Sequence, residues 1–132
     1  MKVPILKIKK TLLSSIQSEL TDQDALDFQN DLLRKIVETE SEGIVLDITG
    51  LDVVDSFMAR VINDTANMSR LLGAEAVVCG MRPAVAMTLV EMGREMIGVE
   101  TALNLEQGLD KLSVLVENRK GRVRLHGIGQ IG

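Results

Sequence analysis

The 132-residue sequence predicts an α/β domain: a mostly parallel sheet, an antiparallel edge hairpin and about four helices. Three observations carry this. Two short apolar runs open the chain, helical periodicity and apolar runs alternate after them, and two of those runs are nearly continuous, as in strands covered on both faces. The length suits one domain, and 45% hydrophobic residues against 26% charged supply a core. Seven methionines, two phenylalanines and no Trp or Tyr make that core aliphatic.

Residues 5–8 and 11–17 are short and apolar, with Lys9 and Lys10 between them, and read as two strands joined by a tight turn. At Thr21 the period changes. Thr21 and Asp24 have capping-box spacing, and Ala25, Phe28, Leu32 and Ile36 then recur on one helical face. Gly43 suits the turn from helix to strand. Ile44–Ile48 reads as a buried strand, followed by a helix over residues 57–72 with Met58, Val61, Ile62 and Met68 inward and Gly73 at its end. Ala76–Cys79 is the next buried strand, broken by Gly80. Pro83 fits the first position of another helix, with Val85, Leu89 and Met92 on its inward face. A strand is expected near 97–100, and Leu105, Leu109, Leu112 and Val116 mark the last helix. The order is β-β-α-β-α-β-α-β-α.

The net charge of −4 is unevenly spread. Arg119, Lys120, Arg122 and Arg124 against Glu117 make residues 117–132 basic, at +3, which leaves −7 for residues 1–116. Residues 1–116 are therefore expected to form the domain, and 117–132 a solvated, flexible basic tail. An acidic body offers no basic stripe for nucleic-acid phosphates. No apolar run reaches the roughly 18 residues of a membrane span and no signal-peptide pattern opens the chain, so neither membrane nor secretion is expected. With one cysteine, Cys79, in a buried strand, a cytoplasmic protein is expected.

Enzymatic chemistry finds few residues. The one histidine, His126, lies beyond the last expected apolar helix, too remote for a nucleophile–histidine pair. One Cys, one His and scattered carboxylates do not make a metal site, and no phosphate-binding P-loop occurs. Gly127–Gly132 matches G-x-G-x-x-G, but that motif works only when a helix follows to hold the pyrophosphate. Neither catalysis, metal nor cofactor is expected.

The segment Leu51–Met58 stands out, since it joins a buried strand to the clearest helix, where sites in open α/β sheets tend to lie. Asp55 or Ser56 there can serve simply as a helix cap, contributing on the order of 1 kcal/mol. Alternatively Ser56 is a surface hydroxyl that a kinase can reach, at the positive end of the helix dipole.

Asp55-Ser56-Phe57 at this point of a β-β-α-β-α pattern resembles the phosphorylation motif of STAS domains, the fold of anti-sigma-factor antagonists. Pro4–Lys7, Leu13–Gln17, Asp22-Gln23, Ala25-Leu26, Pro83–Ala86 and Thr101–Leu109 are similar to one branch, the RsbS-type scaffold of the bacterial stressosome, over about Val3 to Leu112. The resemblance implies a non-enzymatic STAS-fold scaffold. It would assemble with multi-domain RsbR-type STAS proteins and with itself and hold an RsbT-type serine/threonine kinase. Phosphorylation on Ser56 would release the kinase to a partner-switching stress pathway, and a phosphatase would reset the scaffold. Asp55, Ser56 and Phe57, with Gly80, Met81 and Arg82 after the next strand, are expected to form the kinase-facing edge, because both loops follow parallel neighbours. Two alternatives are a stand-alone antagonist that binds an anti-sigma kinase and a nucleotide-binding STAS module.

Overall fold

The computed structural model describes residues 3–17, 20–91 and 99–131, with side chains to Gly121. The elements are β1 (Leu6–Ile8), β2 (Thr11–Ser15), α1 (Asp22–Thr39), β3 (Gly43–Asp47), α2 (Ser56–Leu71), β4 (Glu75–Cys79), α3 (Pro83–Glu91), β5 (Glu100–Ala102) and α4 (Leu105–Ile131). The strands form one sheet in the order β1-β2-β3-β4-β5. β1 and β2 pair antiparallel, and every other neighbour is parallel. Because each parallel strand is followed by a helix, all the loops leading into α1, α2, α3 and α4 leave the same end of the sheet.

Period and capping explain the first helix. Thr21 Oγ1 accepts from the Asp24 N–H at 3.0 Å and Asp24 Oδ2 accepts from the Thr21 N–H at 3.3 Å, closing the expected capping box. Ala25, Phe28, Leu32 and Ile36 are all buried, as their spacing predicts. The left-handed turn at its end falls on Glu40 (φ 50°) rather than near Gly43, which is already the first residue of β3. Gly43 answers a different demand: a Cβ there would sit 2.8 Å from Leu112 Cδ2, so its absence lets α4 approach the sheet.

Two apolar layers flank the sheet. Leu12, Ile16, Ile44, Leu46 and Val78 meet Phe28, Leu32, Ile36, Ile62, Val85 and Leu89 from α1, α2 and α3. Val45, Val77 and Cys79 meet Leu112 of α4 on the other side, with Leu105, Leu115 and Val116 partly buried around them. β3 and β4 are therefore covered on both faces, which is why their sequences do not alternate.

Several expectations are corrected. β5 runs from Glu100 to Ala102, with Glu100 in register with Val77, so it extends past the expected 97–100; Ile97 and Gly98 lie outside the described residues, as does Met92. Met68 is exposed because α2 turns Thr65, Ala66 and Ser69 inward instead. Leu109 is exposed because Gly108 faces the sheet, where a Cβ would lie 3.1 Å from Cys79 Cβ. α4 does not stop at Val116 but remains helical to Ile131. Its residues Arg119 and Lys120 reach back to Glu75 at 3.6 Å and Glu42 at 3.2 Å, so the first basic residues of the expected tail are paired with the acidic body.

Candidate functional site

The β3–α2 loop, residues 48–55, is pinned from both sides. Leu51 and Val54 are buried in the main core, while Asp52, Val53, Asp55 and Ser56 face outward. The Leu51 N–H donates to the Ile48 carbonyl at 3.0 Å, closing a turn over Thr49 and Gly50. At the loop's start, Asp47 Oδ1 accepts from the Thr49 N–H at 3.0 Å and from Thr49 Oγ1 at 2.6 Å. This is the side-chain turn chemistry that makes Asp and Thr common where a strand ends. At the loop's end, Asp55 is the N-cap of α2, its Oδ1 accepting from the Met58 N–H at 2.7 Å. Ser56 is the first helical residue, exposed, with the cap function taken by its neighbour. Its hydroxyl is thus not committed to capping.

The second loop crosses onto the first, as their shared end of the sheet requires. Gly80 takes a φ of 78°, and a Cβ on it would meet Thr49 Oγ1 and lie 2.8 Å from Asp47 Oδ1. Two residues on, Arg82 Nε donates to the Thr49 carbonyl at 2.8 Å, and its Nη1 pairs with Asp52 Oδ1 at 2.7 Å. The two loops thus meet through Thr49 and Asp52. Met81 is half-buried and packs against the main core, and Phe57 is half-buried on the first turn of α2. A third loop joins at Gly50, which lies against the Gln17 side chain after β2.

Sequence reading places Asp55, Ser56, Phe57, Gly80, Met81 and Arg82 at this end and misses Asp47, Thr49 and Gln17. The Asp-x-Thr spacing at the end of β3 is a turn signature that could have singled out the first two. Gln17 carries no such signal. Cys79, directly before Gly80, is buried; burial and then the Asp47 charge push its thiol up to about 11. It is therefore protonated and inert at neutral pH. Among the described residues, no group of three His, Cys, Asp or Glu side chains comes together to hold a metal, and no helix is long and apolar enough to cross a membrane. A separate groove between α1 and residues 3–5 is lined by Asp24, Asp27, Asp31 and Arg34 and shares no residue with this end.

Among the described residues, a sheet that is parallel but for its first pair, with a helix after each parallel strand, makes up one known architecture. The family model of the STAS domain matches residues 2–108, and the chain belongs to that family. Among solved structures, a Ser-to-Glu variant of RsbS from Moorella thermoacetica is 43% identical, with a TM-score of 0.78, covering 89% of this chain and 99% of its own. A chain of the stressosome, described as a signal integration and transduction hub, is 45% identical with a TM-score of 0.75, covering 85% of this chain and 97% of its own. Among curated proteins, the RsbT co-antagonist protein RsbRA of Bacillus subtilis is 36% identical over 78 residues, which are 59% of this chain and 28% of RsbRA. The anti-sigma factor antagonist SpoIIAA, at 14% identity and a TM-score of 0.61, shares the fold.

Proposed function

We propose that this chain is a non-enzymatic scaffold subunit of a stressosome-type assembly in the cytoplasm. It holds an RsbT-type serine/threonine kinase and releases it when that kinase phosphorylates Ser56. The observation that carries the reading is the position of Ser56: exposed, first in α2, and spared from capping by Asp55. The likeness to RsbS and to a stressosome chain over nearly their whole lengths supports the scaffold role. The likeness to RsbRA supports co-assembly with RsbR-type proteins and self-association through this fold.

The chemistry of the switch follows from the loop. The γ-phosphoryl group of ATP passes to Ser56 Oγ, the bond to the β-phosphate oxygen breaking to leave ADP and the hydroxyl proton being released, which adds roughly −1.5 to −2 charges beside Asp55. The helix dipole offsets about 0.3–1 kcal/mol of this at an exposed site. Leu51 and Val54 keep the loop anchored, so the new charge acts outward, on whatever surface is docked against Ser56. A docked partner surface carrying negative charge is repelled by it, and an apolar one is disfavoured because the contact would desolvate the phosphate. A separate phosphatase resets the scaffold.

The test is intact-mass and peptide mass spectrometry after incubation with the cognate kinase and ATP. One phosphate on Ser56, lost in Ser56→Ala, is the expected outcome. Phosphate elsewhere, or none with an active kinase, leaves the STAS fold standing and removes the switch.

A further inference from the structure

We propose that Arg82 is a positioning residue for the serine loop, a clamp that holds residues 49–52 in the shape the kinase reads, and not itself a contact with the kinase. The inference rests on the reading of Ser56 as the phosphorylated residue. Its basis is the pattern of bonds. One guanidinium grips the loop at two points, the Thr49 backbone carbonyl and the Asp52 carboxylate, at 2.8 and 2.7 Å. A planar fork of donors suits that double grip, and a lysine ammonium cannot reproduce its geometry. Gly80, on the same turn, lies close against Thr49 and Asp47, so Thr49 is approached by both Gly80 and Arg82. Thr49 is in turn held by Asp47. A chain of contacts therefore runs from the end of β3 through Thr49 and Arg82 to Asp52, four residues before Ser56. A guanidinium already engaged with two loop acceptors has fewer donors left for a partner.

The clamp also explains a division of labour along the loop. Leu51 and Val54 fix its inner side by burial. Asp55 fixes its junction with α2. The outward stretch around Asp52 and Val53 has no buried anchor of its own, and Arg82 supplies a polar one. The ion pair is half-exposed, so its removal loosens the loop locally while the fold is left intact.

The test uses the full chain in Arg82→Ala, Arg82→Lys, Asp52→Ala and the double variant, with two readouts. Without any kinase, amide hydrogen exchange over residues 49–55 is expected to rise about threefold to tenfold in Arg82→Ala and Asp52→Ala, with a melting temperature within about 3 °C of the parent. Arg82→Lys, which keeps the charge and loses the fork, is expected to lie between. Unchanged exchange in Arg82→Ala overturns the clamp, whatever the fate of Ser56. With the cognate kinase and ATP, phosphorylation of Ser56 is expected to lose about threefold to tenfold in kcat/KM in each single variant and no further in the double. If Asp52→Ala leaves the rate unchanged or raises it while Arg82→Ala lowers it, Arg82 touches the kinase directly and the proposal fails. If the parent protein takes no phosphate at Ser56, the scaffold switch falls and hydrogen exchange alone decides the clamp.

Discussion

Replacing Gly80 with alanine should be among the most damaging small changes to this end of the sheet. Gly80 sits at φ 78°, a conformation that costs an L-residue roughly 1–2 kcal/mol. The added Cβ would also meet Thr49 Oγ1, lie 2.8 Å from Asp47 Oδ1 and 3.1 Å from the Thr49 nitrogen. The Thr49 hydroxyl cannot swing away without giving up its 2.6 Å bond to Asp47, so relief by side-chain rotation is itself costly. Overpacking of this kind costs about 1–3 kcal/mol, and the two effects together give about 2–5 kcal/mol. Against a total stability on the order of 5–15 kcal/mol for such a domain, this is a large share. In urea denaturation the midpoint should fall by about 1–3 M with an unchanged slope. Adding Thr49→Ala removes the clashing hydroxyl and should return part of the loss, though not the backbone share. A Gly80→Ala variant within about 0.5 kcal/mol of the parent would refute the argument, because neither the backbone angle nor the contact could then be as described.

Other consequences are as direct. Gly43→Ala drives a methyl into Leu112 and should cost about 1–3 kcal/mol by chemical denaturation. Leu112→Ala alone should cost about 2–5 kcal/mol, and the pair less than the sum, since each change makes room for the other. Asp55→Ala removes the cap on the Met58 N–H and should cost about 1 kcal/mol, with Asp55→Asn nearly neutral. Cys79 should resist alkylation at pH 8 in the folded protein and react at once in denaturant. Because its thiol is raised from 9.0 to about 11, its contribution to stability is complete below pH 9 and is lost as the pH rises toward 11; a melting temperature flat across that window in Cys79→Ala but falling in the parent would show it.

What the sequence discloses follows the range of the interactions. The capping box at Thr21, the buried stripe of α1 and the two covered strands β3 and β4 are set by neighbours within one helical turn or one strand, and they read directly from residue order. The buried side of α4 does not. Gly108 is turned to the sheet because Cys79 approaches closely there, a contact that displaces Leu109 outward and that no local periodicity announces. The length of α4 was hidden for a similar reason. Residues 117–120 look like a free basic tail until Glu42 and Glu75, far earlier in the chain, are placed beneath them. At the candidate site, Asp55 and Ser56 are visible as alternative caps of a helix expected from residue 57, and Gly80 as a strand breaker; that Asp55 is the cap and Ser56 the first helical residue emerges only in the structure. The grip of Arg82 on Thr49 and Asp52 spans 33 and 30 residues and exists only once β3 and β4 lie side by side.

In the proposed switch, phosphate on Ser56 releases a bound kinase. The most direct test of that release is sedimentation of the scaffold, co-assembled with an RsbR-type protein and the cognate kinase, before and after ATP is added. The kinase is expected to sediment with the large assembly at first and to move to the slow fraction as Ser56 is phosphorylated, but to stay bound with Ser56→Ala. A kinase that remains on the fully phosphorylated assembly would contradict it.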